Sequence, residues 1–139
     1  MLDQDVCKFY GNALALYNTY GGVVLGSAES EGEAIAATLT PETKGCILAN
    51  HGLLTVGHTV DEAGYLFALL EKSCRIQLDL KASGMTGHEI GEREARFNFE
   101  VESRSEFLYW EFQPEYDYEV MRAKGEFEDL DEEGVRLRF

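Results

Sequence analysis

No part of the sequence restricts the fold as tightly as Gly45–Gly57, GCILANHGLLTVG, which runs straight into a long amphipathic helical pattern. Ile47, Leu48, Leu53, Leu54 and Val56 have the apolar, β-prone character of a buried strand, with His51 at its centre and Gly52 beside it. An imidazole in such a place serves as a satisfied core residue, a metal ligand or a proton carrier. The first of these is the commoner role. The neighbouring glycine lets the backbone bend or come close to a ligand.

The helix that follows is marked at both ends. Thr59 and Glu62 have capping-box spacing, and Ser83-Gly84 is a stop. Ala63, Leu66, Phe67, Leu70, Cys74 and Leu78 recur at helical steps and predict the buried side. Asp61, Glu62, Lys72, Arg75, Asp79 and Lys81 predict the solvated or subunit-facing side, with Glu71 a solvent or interface carboxylate at the edge of the apolar stripe. Upstream, Gly22–Leu25 reads as a short strand. Ser30 and Glu33 cap a helix carrying Ala34, Ile35, Ala37 and Leu39, which Thr40-Pro41 ends. The pattern is strand, helix, strand, helix.

Beyond His88 the composition changes. Glu89–Glu106 is dense in Glu and Arg and reads as a charge-paired helix or an irregular arm. Phe107–Tyr118, FLYWEFQPEYDY, is an aromatic stretch broken by Pro114, and is expected to anchor onto the core or a neighbouring subunit. Residues 119–139 carry Glu119, Glu126, Glu128, Asp129, Asp131, Glu132 and Glu133 and are expected to form an acidic tail.

Charge excludes one class of partner. With 26 acidic and 12 basic residues and a net charge of −14, the chain lacks the clustered Lys and Arg that hold phosphate backbones, so nucleic acid is not expected. Cys7, Cys46 and Cys74 are odd in number and in no C-x-x-C spacing, which predicts reduced, mostly buried thiols in a cytoplasmic protein. No apolar run has the length of a membrane span and no basic leader opens the chain, so no membrane association is expected.

Taken in order, Asn50-His51-Gly52, then Leu-Leu-Thr-Val-Gly, then a helix with Thr-Val-Asp-Glu-Ala near its start and Leu-Glu-Lys-Ser-Cys further on resembles the class II aldolase/adducin family. Residues 44–80 carry the likeness, and the preceding EGEAIAATL fits it. The whole looks most like the C-terminal part of a fungal-type member, through Gln4–Tyr10 (QDVCKFY) and Trp110–Tyr116 (WEFQPEY). The resemblance implies an α/β fold with helices around a mainly antiparallel sheet, incomplete at its N-terminal side. Residues 1–118 would be the partial domain. It also implies a homo-oligomer, a ring-shaped tetramer in the family's usual form, with sites near subunit interfaces.

In the family's enzymes zinc is held by three histidines, and the resemblance places His51 as the third of them. The metal acts there as a Lewis acid on a sugar phosphate or related keto compound. The His-x-His that supplies the other two ligands is absent: His58 and His88 both follow the His51 segment, and both are expected at the surface. No catalytic or substrate-binding residue is singled out. Two functions follow. One is zinc-dependent aldol cleavage or epimerisation of a small phosphorylated sugar or keto acid, with this chain inactive alone. The other is a non-catalytic adducin-like module for self-association or for binding a cytoskeletal protein. An incomplete sheet would in addition leave an open edge that favours oligomers.

Overall fold

A computed structural model describes residues 1–19 and 28–123. The strand expected over Gly22–Leu25 and residues 124–139 of the acidic tail lie outside these. Two short 3-10 turns, Asp5–Phe9 and Gly11–Ala13, lead into strand β1, Leu14–Tyr17. Helix α1 (Ala28–Ala36), strands β2 (Gly45–Leu48) and β3 (Gly52–Thr55), and helices α2 (Val60–Ser83), α3 (Glu92–Glu102) and α4 (Ser105–Arg122) follow.

The strands form one sheet in the order β1-β2-β3, with β1 parallel to β2 and β2 antiparallel to β3. The expected α/β architecture is present, and the two strand pairings among the described residues are one of each kind. Where one continuous strand was expected through His51, the backbone turns back instead. The chain reverses over Leu48–His51, closed by His51 N–H donating to the Leu48 carbonyl at 3.0 Å. Asn50 takes a left-handed φ of 59°, the third-position requirement of a type II turn and one that asparagine tolerates better than most residues.

Helix α2 is the long axis of the core. Thr59 caps it, its side chain accepting from Glu62 N–H at 3.0 Å, and Gly84 ends it with φ 70° in the left-handed region. Leu66, Leu69, Leu70 and Tyr65 pack with Val6 and Phe9 from the N-terminal turn and Leu108 from α4. The buried side is therefore rotated from the expected one: Phe67 and Leu78 are exposed, whereas Glu62 and Ser73 are buried. The hairpin lies along one flank of the helix and α4 along another, so the face between them is the one removed from water.

Helix α1 begins before Ser30 and stops at Ala36, so Ser30 lies inside it and not at its cap. Residues 92–102 resolve the earlier ambiguity as a helix, with Arg96 paired to Glu92 at 3.3 Å. Helix α4 runs through Pro114 without interruption. A proline there removes one backbone hydrogen bond. Leu108 and Phe112 packed against the α2 side of the core hold the helix through that loss. Glu119–Arg122, expected as the start of the tail, form its last turn.

The N-terminal segment is fastened at long range. Lys8, almost wholly buried, donates to Glu102 at 3.1 Å and Asp5 at 3.4 Å, and Met1 accepts from Ile90 N–H at 2.9 Å. Among the described residues no helix is long and apolar enough to cross a membrane.

Candidate functional site

His51 sits at the tip of the β2–β3 hairpin and is exposed. Its position is set by the strands beneath it. Leu48 pairs with Gly52 across the hairpin and with Tyr17 of β1, and Ala49 N–H donates to the Tyr17 carbonyl at 2.9 Å. The exposed residues Asn18 and Thr19, which leave β1, therefore emerge at the same end of the sheet as the imidazole.

The base of the hairpin is locked by Glu62, which has no solvent exposure. Its Oε1 accepts from Lys44 Nζ at 2.9 Å and from the Ser105 hydroxyl at 3.1 Å, and its Oε2 accepts from His58 N–H at 2.8 Å. Lys44 immediately precedes β2 and His58 follows β3, so one carboxylate ties both ends of the hairpin to α2 and to the first residue of α4. Burial alone would raise this carboxyl, but the Lys44 ammonium and the His58 and Ser105 donors outweigh it and hold it below the ordinary 4.5. Sequence reasoning put Glu62 on the solvated side. Its capping-box spacing with Thr59 was the available signal, though its side chain reaches back to His58 N–H and not to the cap residue itself.

The remaining candidates lie apart. His58 and His88 are exposed, the latter in the loop between α2 and α3, and Glu71 is an exposed carboxylate paired with Arg75 at 3.0 Å. The three cysteines are free thiols, Cys7 and Cys46 buried and Cys74 half-buried, and burial pushes Cys7 and Cys74 up from their usual range. A catalytic zinc takes three protein ligands and keeps a fourth position open. Among the described residues no three His, Cys, Asp or Glu side chains converge to hold a metal, so the residues present do not compose a zinc site by themselves. What the site offers is a single displayed imidazole on a braced hairpin.

A strand–helix–hairpin–helix unit that carries a histidine-glycine tip ahead of a capped core helix defines an α/β domain of aldolase type. Residues 1–78 match the Class II Aldolase and Adducin N-terminal domain, and the chain belongs to that family. It is similar to the meiotically up-regulated gene 14 protein of Schizosaccharomyces pombe, 37% identical over 130 residues, covering 92% of this chain and 49% of that protein. It is similar to alpha-adducin of Rattus norvegicus, 40% identical over 67 residues, covering 48% of this chain and 9% of adducin. Among solved structures, L-fuculose 1-phosphate aldolase from Glaciozyma antarctica PI12 superposes with a TM-score of 0.77 and 32% identity, over 91% of this chain and 45% of the aldolase. The chain thus spans about half the length of the fungal relative and of the solved aldolase.

Proposed function

We propose that this chain supplies the His-Gly hairpin of a class II aldolase-type site. His51 is one zinc ligand there, and the other ligands come from sequence outside the described residues. The reaction class is aldol cleavage or epimerisation of a small sugar phosphate or keto acid, and the assembly is a cytoplasmic homo-oligomer. One observation carries the reading: His51 is solitary and solvent-facing, yet the hairpin beneath it is pinned at both ends by the buried Glu62 network. A residue with only a surface role does not need so rigid a mount. Likeness to an L-fuculose 1-phosphate aldolase supports the reaction class.

The test is elemental analysis and retro-aldol assay of a longer form that contains this chain, with and without His51→Ala. Loss of zinc and of cleavage together is the expected result. Unchanged zinc content in the His51→Ala protein would remove His51 from the ligand set and the proposal with it.

A second reading is favoured by a different observation. The absence of a converging ligand set among the described residues, the exposed aromatic face of α4, and the likeness to alpha-adducin fit a non-catalytic module for self-association or protein binding. Light scattering and pull-down at micromolar concentration test it, because a monomer that captures no partner rules this reading out.

A further inference from the structure

Helix α2 carries apolar residues on two opposite sides. Tyr65, Leu66, Leu69 and Ser73 are buried on the inner side. Phe67, Glu71, Cys74 and Leu78, at steps of four, three and four residues, line the outer side, and Val60 continues the row one heptad earlier. Phe67 is 46% exposed and Leu78 67%, while Cys74 is half-buried. The apolar repeat of the sequence placed Phe67, Cys74 and Leu78 in the core, and the fold turns that row outward. Alternating steps of three and four make the seam along which two helices pair.

The row fits its own copy. In a chain of net charge −14 most of the surface repels a second molecule, but the charges along this face are Glu71 and Arg75, one of each sign and paired at 3.0 Å. Antiparallel pairing that sets Phe67 against Leu78 of a second copy also sets Glu71 against Cys74 of that copy. One register thus gives four layers. In the same register Arg75 flanks the second copy's Glu71. A guanidinium has five donors, so it can keep its own Glu71 and reach the other. The exposed Ala68 and Ala82 border the row and leave room for close approach. A different occupant would have to bring its own cation to Glu71; a second copy supplies it by symmetry.

We propose that two copies of this chain pair antiparallel through the outer face of α2, with Phe67 on Leu78 and Glu71 beside Arg75 across the twofold axis. This names a face for the homo-oligomer and rests on that reading of the assembly, independently of the zinc chemistry. Phe67 to Leu78 covers about 16 Å of helix, short of what a standard interface of about 1,200 Å² or more needs, so the dimer is a weak one that forms at micromolar concentration.

The test uses the whole chain. Sedimentation from ten to several hundred micromolar reads the mass, and a short bismaleimide reads the geometry, since Cys7 and Cys46 are buried and the two Cys74 thiols stand in neighbouring layers. The expected result is a concentration-dependent dimer that crosslinks through Cys74 and fails to crosslink as Cys74→Ser. F67E/L78E alters two exposed side chains and should abolish both signals, with thermal melting by circular dichroism as the folding control. E71R and R75E each bring like charges together across the axis and should weaken the dimer about tenfold or more. Mixing E71R chains with R75E chains should restore crosslinking between the two kinds, which loss of the intrahelical pair alone cannot explain. A monomer at every concentration overturns the proposal. A dimer that survives F67E/L78E overturns it too, assigning assembly to another face and leaving the homo-oligomer itself in place. Mixing that restores nothing sinks the register.

Discussion

Replacing Glu62 is the sharpest probe of how this fold holds its hairpin. The carboxylate receives three hydrogen bonds, from Lys44 at 2.9 Å, His58 N–H at 2.8 Å and Ser105 at 3.1 Å, in a position without solvent exposure. Glu62→Ala deletes all three and leaves the Lys44 ammonium, whose side chain is only 15% exposed, without a partner. Breaking one side of a buried pair costs about 3–5 kcal/mol. Against a total stability of roughly 5–15 kcal/mol for a domain, that is enough to populate unfolded chain. Glu62→Gln keeps the shape, but its amide nitrogen must face one donor, and a cost of about 1–3 kcal/mol is expected for that unsatisfied contact. Urea denaturation followed by circular dichroism measures both. Because the folded carboxyl lies below its ordinary 4.5, its contribution is complete above that value and is lost as pH falls through the folded value. Wild-type stability should therefore drop on acidification more steeply than that of Glu62→Gln. Midpoints within about 0.5 kcal/mol of wild type for both variants, the range of ordinary surface changes, would refute the reasoning.

Other perturbations follow from the same geometry. Leu66→Ala, at a fully buried site in the centre of α2, should cost about 2–5 kcal/mol in chemical denaturation, while His51→Ala at the hairpin tip should stay within about 0.5 kcal/mol. Thr59→Ala removes the α2 cap and should lower stability by about 1 kcal/mol, with Thr59→Ser retaining most of it. Burial, followed by the nearby Glu111 and Asp5 charges, pushes the Tyr65 phenol up to about 12. A raised value adds stability that is full below the ordinary 10 and is lost as pH climbs towards 12, so absorbance at alkaline pH should show one late-titrating tyrosine that Tyr65→Phe removes.

The sequence made α2 legible because its signals are local: Thr59 and Glu62 at one end, Gly84 at the other, and an apolar repeat between. The rotation of its buried face was not legible, because that depends on where the hairpin and α4 dock. Glu62 illustrates the difficulty. A glutamate on a helix is read as solvated unless something neutralises it, and its partners Lys44 and Ser105 lie 18 and 43 residues away. His51 stood out in the sequence, but the turn that displays it hinges on Asn50, whose tolerance of left-handed φ was the overlooked clue. The parallel β1–β2 pairing joins residues about thirty apart, and the alternation within Leu14–Tyr17 is too short to announce it. Pro114 misled in the opposite direction, since a local helix breaker lost to packing that only the assembled core provides.

The fastening of Asp5–Phe9 to α3 and α4 sets an order on how this part of the chain closes during synthesis. Phe9 and Val6 complete the core with Leu108, and Lys8 finds Glu102, partners that are translated close to a hundred residues later. At about 5–20 residues per second, the Val6–Phe9 segment waits for seconds with its apolar side chains uncovered. The hairpin and α2 can assemble during that interval from contacts nearby in sequence, whereas closure around Phe9 must follow the synthesis of α4. The nascent chain is thus open to chaperones and proteases around Val6 and Phe9 until α4 has been made.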